Sequence, residues 1–234
     1  MINLNEWLIK GGTLYSSGTT GAPKSIFQSP EKLKAANAVA IDSQEITSKS
    51  RVYTVCKIQH AGGLLAQTLP ALSVNADVVI EDFNAYRFVK EIHKYTHTHI
   101  TPNHAKAIMG TKAFETIDLH GIWITCGSDP VTWDIIEAFT KRGATFMVNW
   151  GMTEIGPCAI NKVFKSHDAA TQEKFWAHYD STIMGDRIYC DYKIENGELW
   201  VKGDICVYDD WYNTKDRVVN HYNKLYYQGR NEIR

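Results

Sequence analysis

The feature that most narrows the fold is an alternation of short β-type runs with helical stretches between residues 52 and 148. Val52-Tyr53-Thr54-Val55-Cys56 is rich in β-branched and aromatic residues and reads as a strand. Asp77-Val78-Val79-Ile80, His99-Ile100, Ile122-Trp123-Ile124-Thr125 and Thr145-Phe146-Met147-Val148 read the same way. Helices are expected between them: after Gly63, over 85–95, from Thr101-Pro102 to a stop at Gly110, and over a stretch carrying Ile135, Ala138 and Phe139. Asp129-Pro130 is the expected cap of that last helix and Gly143 its end. Upstream, Ser29-Pro30-Glu31 starts a helix with Leu33, Ala36 and Ala40 on one face. Strands alternating with helices predict an α/β fold, a helix-flanked and mainly parallel sheet, with sites at the carboxyl ends of its strands. Gly127-Ser128-Asp129 and residues 150–154 both follow predicted strands.

Beyond about residue 160 the pattern changes. Residues 161–180 are polar and read as a loop and a helix. From 187 onward strands and turns dominate, and Asn196-Gly197 lies between two β-type runs as a hairpin turn does. The chain is expected to divide into an α/β subdomain over 1–180 and a small antiparallel β-subdomain over 181–234.

Charge and cysteine usage narrow the partners. A net charge of -1 gives no bulk field toward nucleic acid or an anionic membrane. Five cysteines, at 56, 126, 158, 190 and 206, never form C-x-x-C, which points to reduced thiols in a cytoplasm. There is no apolar run of membrane-spanning length and no secretory pattern at the start.

Residues 15–25 carry the strongest local chemistry. Ser16-Ser17-Gly18-Thr19-Thr20-Gly21-Ala22-Pro23-Lys24 combines bendable glycines, hydroxyls and a cation, the ingredients of a phosphate-gripping loop. The spacing of Gly18 and Lys24 is not that of G-x-x-x-x-G-K-[ST]. Taken alone, a Ser/Thr/Gly cluster of this kind reads first as an ordinary turn. Downstream come Asn149-Trp150-Gly151-Met152-Thr153-Glu154, then Gly197-Glu198-Leu199-Trp200-Val201-Lys202-Gly203, Thr214-Lys215-Asp216 and Gly229-Arg230.

This ordered set resembles the adenylate-forming superfamily of acyl-CoA synthetases, and His60-Ala61-Gly62-Gly63 is similar to the H-x-G-G segment of aryl and o-succinylbenzoate-CoA ligases. The resemblance implies ATP-dependent joining of a small carboxylic acid to AMP, with magnesium and with coenzyme A as a candidate acceptor. It implies that residues 1–180 bind the nucleotide. Ser17, Gly18, Thr19, Thr20, Gly21 and Lys24 would hold the phosphates. Gly127, Ser128, Asn149, Gly151 and Met152 would line the adenine pocket, and Trp150 would stack on the base. Thr153 would meet the α-phosphate, Glu154 would ligate magnesium, and Asp216 and Arg230 would hold the ribose. His60 matches a catalytic-site position beside the acyl pocket. Without the resemblance, Trp150 reads as a core residue, Glu154 as solvated, and Asp216 with Arg230 as a surface charge pair.

Several departures leave alternatives open. Ser25 and Lys215 stand where the family has glycine. The chain resembles a minimal or truncated member without the family's N-terminal region and C-terminal lysine domain. An enzyme, a non-catalytic ATP/AMP-binding module and a dependence on a separate chain supplying the lysine all stay open. Loss of the N-terminal region is expected to expose apolar surface, which a homodimer would cover. Finally, His93, His97, His99 and His104 cluster in sequence; they read as a solvated helix end and not as a metal site.

Overall fold

The structure is a computed structural model that describes residues 4–16, 24–178 and 181–231. Helix α1 (Leu4–Lys10) precedes an antiparallel hairpin of β1 (Gly12–Ser16) and β2 (Lys24–Gln28). Residues 17–23, which include Ser17, Gly18, Thr19, Thr20 and Gly21, lie outside the described residues. Helix α2 (Pro30–Gln44) begins as its sequence directs: the Ser29 hydroxyl accepts from the Lys32 amide and Pro30 takes the first turn. Then follow β3 (Arg51–Thr54), α3 (Ala61–Gly63), α4 (Leu69–Ser73), β4 (Asp77–Ile80), α5 (Ala85–Glu91), β5 (His97–Ile100) and α6 (Pro102–Met109). The π-helical stretch Leu64–Thr68 joins α3 to α4. The chain continues through β6 (Trp123–Gly127), α7 (Trp133–Lys141), β7 (Thr145–Met152), β8 (Gly156–Phe164), α8 (His167–Phe175), β9 (Thr182–Gly185) and β10 (Arg187–Ile188). It closes with β11 (Asp191–Glu195), β12 (Glu198–Lys202), β13 (Tyr212–His221) and β14 (Lys224–Arg230).

Two larger sheets result. The first has seven strands in the order β10-β8-β7-β6-β5-β3-β4, parallel from β4 to β7 and antiparallel at β8 and β10. The second has five antiparallel strands in the order β11-β12-β13-β14-β9. The central strands β6 and β7 are buried on both sides because helices cover both sides. Ile124 and Phe146 point toward Ile108, Ile135 and Phe139. Trp123 and Met147, one residue away in each strand, pack instead with Ala40 of α2. A further cluster around Ile155, Ile160, Met184, Leu199 and Val218 joins the two sheets. Gln44, fully buried at the end of α2, ties α2 to the helical run and to β6: its amide donates to the Ala66 carbonyl at 2.7 Å and its carbonyl accepts from Thr125 at 2.6 Å.

The α/β class is as expected, and four local readings are corrected. Residues 161–164 belong to β8, not to a loop. Their polar character misleads because it is compatible with a strand here: buried Asn161 donates to the Cys158 carbonyl of the same strand, and Lys162 pairs with Asp186 and Glu173. Asp129 does not cap α7; the cap position is Thr132, and Asp129 is exposed on the preceding loop. The histidine cluster is not a solvated helix end, since His97 and His99 are buried on β5. Asp216 is no surface charge, at 1 % exposure. The Asn196-Gly197 turn is as expected, with both residues in the left-handed region that such a hairpin requires.

Among the described residues no helix is long and apolar enough to cross a membrane. Ile9, Tyr15 and Phe27 expose large apolar surface on α1 and the first hairpin. All five cysteines are free thiols, and burial pushes Cys56, Cys158 and Cys190 up to about 12 and Cys206 to about 11, from an ordinary 9.0. A thiol that stays protonated when folded but ionises when unfolded stabilises the fold fully below pH 9 and loses that contribution as pH rises toward the folded value. Chemical-denaturation midpoints should therefore hold up to about pH 9 and fall beyond it. Cys158→Ala should make the fall shallower; an unchanged slope would contradict the assignment.

Candidate functional site

The carboxyl ends of the parallel strands open onto two adjoining cavities. The larger, of about 930 Å³, is bounded by the loops after β3 to β7, by Lys24 of β2, and by Tyr212, Thr214, Lys215 and Arg230 of the second sheet. The smaller, of about 180 Å³, lies between Ser128 to Val131 on one side and Trp150, Asp216, Tyr227 and Arg230 on the other. Ser128, Asp129, Asn149, Gly151 and Arg230 border both.

One carboxylate joins the sheets here. Asp216 Oδ2 accepts from Trp150 Nε1 at 2.9 Å, and Oδ1 accepts from Arg230 Nε at 2.6 Å. Burial opposes the charge on Arg230, but the bond to Asp216 outweighs it and raises the guanidinium above its ordinary value. A bulge in β13 aims Asp216 inward, and Lys215 takes the left-handed φ of 64° that the bulge needs. The Lys215 ammonium turns toward Glu198, at 3.5 Å.

β7 delivers the second group. Asn149 is buried at 8 % exposure with its side-chain carbonyl unpaired. Gly151 lies so close to β8 that a Cβ would fall 2.4 Å from the Gly156 carbonyl oxygen, so no other residue fits. Thr153 and Glu154 occupy the turn between β7 and β8 and line the larger cavity. Glu154 is not solvated: it is 6 % exposed, and its backbone carbonyl accepts from the Val207 amide at 2.9 Å. Burial first, then the Glu154 carboxylate, pushes the Tyr212 hydroxyl up to about 12, so it donates throughout the neutral range.

Of the residues singled out from sequence, Lys24, His60, Ser128, Asn149, Gly151, Met152, Thr153, Glu154 and Arg230 border the larger cavity, and Trp150 and Asp216 border the smaller. Gly127 pairs with Asn149 across β6 and β7 without lining either. Lys24 and His60 are exposed at the rim. The reading missed a strut behind the turn. Gln28, fully buried, donates to the Thr153 carbonyl at 3.0 Å and accepts from Lys32. Lys32 is 4 % exposed, and burial lowers it to about 8 against the opposing effects of Cys206 and Glu154. No local signal marks this strut, because Gln28 meets a carbonyl 125 residues further along the chain.

A doubly covered parallel sheet with two cavities at its carboxyl edge, closed by a small antiparallel sheet, defines an α/β ligand-binding protein. The chain belongs to the AMP-binding enzyme family, whose pattern matches residues 13–208. It is 32 % identical over 196 residues to the indoleacetate–CoA ligase of Aromatoleum aromaticum, covering 81 % of this chain and 38 % of that protein. The chain thus spans well under half the length of that relative. In fold it is similar to the inhibitor-bound N-terminal domain of FACL13 from Mycobacterium tuberculosis, with TM-score 0.77, 17 % identity, and coverage of 94 % of this chain and 62 % of that one. It is likewise similar to the AMP complex of o-succinylbenzoate coenzyme A synthetase from Bacillus subtilis, with TM-score 0.75, 21 % identity, and coverage of 93 % and 49 %. The fold is that of the acyl-adenylate-forming ligases.

Gln28→Leu should destabilise by about 3 kcal/mol, because it leaves the Lys32 charge without a partner in the interior. Adding Lys32→Met should recover most of that loss, as replacing both polar partners by apolar groups is nearly neutral. A urea-unfolding double-mutant cycle reads both, and strict additivity of two losses would refute the strut. Lys215→Gly should raise stability by about 1 kcal/mol by relieving a left-handed lysine, offset slightly by loss of an exposed ion pair. A lowered midpoint would show that the pair outweighs the strain.

Proposed function

We propose that this chain adenylates a small carboxylic acid: a carboxylate oxygen bonds to the α-phosphorus of ATP while the bond from that phosphorus to pyrophosphate breaks, giving acyl-AMP and pyrophosphate. One observation carries the reading. Asn149 and Trp150 from one sheet and Asp216 and Arg230 from the other converge on a small cavity that adjoins a cleft bordered by Lys24, Thr153 and Glu154. Residues 1–180 form the nucleotide-binding part and 181–234 the β-subdomain in this reading.

Adenine enters the smaller cavity against Trp150, where stacking contributes on the order of 1–3 kcal/mol. The unpaired Asn149 carbonyl is an acceptor for an exocyclic amine. Asp216, already anchored by Trp150 and Arg230, keeps lone pairs for the ribose hydroxyls. The phosphates lie in the larger cleft, met by Lys24, Thr153 and the loop of Ser17, Gly18, Thr19, Thr20 and Gly21. Magnesium is commonly held by one or two carboxylates plus substrate phosphates. Glu154, buried at the cleft beside Tyr212, fits as that carboxylate, and the ion would offset negative charge building on the phosphates. The acid occupies the rest of the cleft beside His60, with coenzyme A as the acceptor of the acyl group. The indoleacetate–CoA ligase relationship favours an aromatic acid. Self-association over Tyr15 and Phe27 belongs to the same proposal.

Calorimetry with AMP and Mg·ATP tests the pocket. Wild type should bind, Trp150→Ala should weaken binding by about 1–3 kcal/mol, and Asp216→Ala should weaken it at least tenfold, on the order of one charge-assisted hydrogen bond. Pyrophosphate release across an aromatic acid panel, abolished by Glu154→Ala, tests the chemistry. Nucleotide binding with no release on any acid supports instead a binding module that needs a second chain for turnover. No nucleotide binding overturns the proposal.

A further inference from the structure

Of the four clustered histidines, His97 and His99 are both buried on β5 but differ in how they are satisfied. His97 is spoken for: its Nε2 meets the Gln44 carbonyl at 2.9 Å and its Nδ1 meets Thr96 Oγ1 at 2.8 Å. His99, at 3 % exposure, has no partner on either ring nitrogen. Buried polar atoms nearly always find partners, so this imidazole calls for one. It borders the larger cleft together with Phe83, His104 and Ser128. Gly62 shows which edge is turned toward it. A Cβ at Gly62 would fall 3.0 Å from His99 Cε1 and 3.7 Å from Nδ1, and also 3.0 Å from Ser128 Oγ. The edge of the ring that carries Nδ1 and Cε1 therefore faces the Gly62 backbone at the cleft wall, closely enough that even a methyl at residue 62 would crowd it.

The groups around that edge are neutral. Burial, with a smaller contribution from His104, lowers His99 to about 4, and burial also lowers His104. The neighbouring Cys56 thiol is pushed up to about 12 by burial. A second carboxylate on the ligand would find no cation at this depth. A hydrocarbon would leave the imidazole unpaired. A hydroxyl both donates and accepts, so it matches the ring nitrogen in either tautomer. Phe83, stacked on His104 with centroids 3.9 Å apart, gives the same wall a flat aromatic face.

We infer that His99 is a specificity-determining residue of the acid site, and that it selects an aromatic carboxylic acid bearing a neutral hydroxyl. This rests on the adenylation reading of the cleft.

The test uses the full chain with AMP present and calorimetric titration of phenylacetate against its 2-, 3- and 4-hydroxy forms. At least one hydroxylated acid should bind roughly ten- to hundredfold tighter than phenylacetate, the range expected when a site's buried polar group is otherwise left unpaired. His99→Leu should erase that preference by weakening the hydroxylated acid alone, and His99→Gln, which keeps a donor and an acceptor, should retain part of it. Equal affinities in wild type, or a preference that survives His99→Leu, overturns the inference. If the leucine variant does not fold, Gly62→Ala gives the same reading: its methyl closes the approach, and a preference that persists there overturns the inference. AMP affinity is the separate readout. A preference without AMP binding would leave His99 standing and overturn the adenylation reading; AMP binding without a preference does the reverse.

Discussion

A single buried carboxylate, Asp216, holds the geometry of this molecule's ligand edge. It takes one hydrogen bond from Trp150 at the end of the parallel sheet and one from Arg230 on the antiparallel sheet. The two sheets also meet through the apolar cluster around Ile155, Ile160 and Leu199 and through Ile183 and Tyr226 in the main core, contacts that are non-directional. A charged hydrogen bond is directional, so it sets where the small sheet sits over the strand ends. An unpaired carboxylate at this depth would be costly, which makes its partners obligatory.

Around that anchor the site is assembled from rigid elements supported from behind. The turn carrying Thr153 and Glu154 is held by Gln28 on one side and by the Val207 amide, which donates to the Glu154 carbonyl, on the other. Lys32 is kept in the interior by the same Gln28. Lys215 and Ser128, whose φ is 77°, are left-handed residues that border the cavities. Such strain persists only where surrounding structure over-determines it. Here the bulge at Lys215 aims Asp216, and the turn at Ser128 lets the chain pass between the two cavities.

How much was legible depended on whether a residue's role was local. The strand–helix alternation, the Ser29 cap and the Asn196-Gly197 hairpin are short-range, and the structure contains each. The residues around Asn149 to Glu154 were marked by motif order, and they border the cavities as a group. The misreadings at Asp129, at 161–164 and at the histidines share one cause. Composition makes a polar run look solvated, yet Lys162 and His97 are polar residues satisfied by distant partners. Gln28, whose amide meets the Thr153 carbonyl, escaped notice for the same reason.

The sequence by itself therefore determined the α/β class and the order of elements, because periodicity, caps and turns act over a few residues. Only the tertiary structure decided that Asp216 is buried and shared between two sheets, that Lys32 is an interior charge, and that His99 borders a cavity with neither ring nitrogen bonded. Burial and pairing depend on groups that lie scores of residues apart along the chain, and nothing in local spacing encodes where they meet.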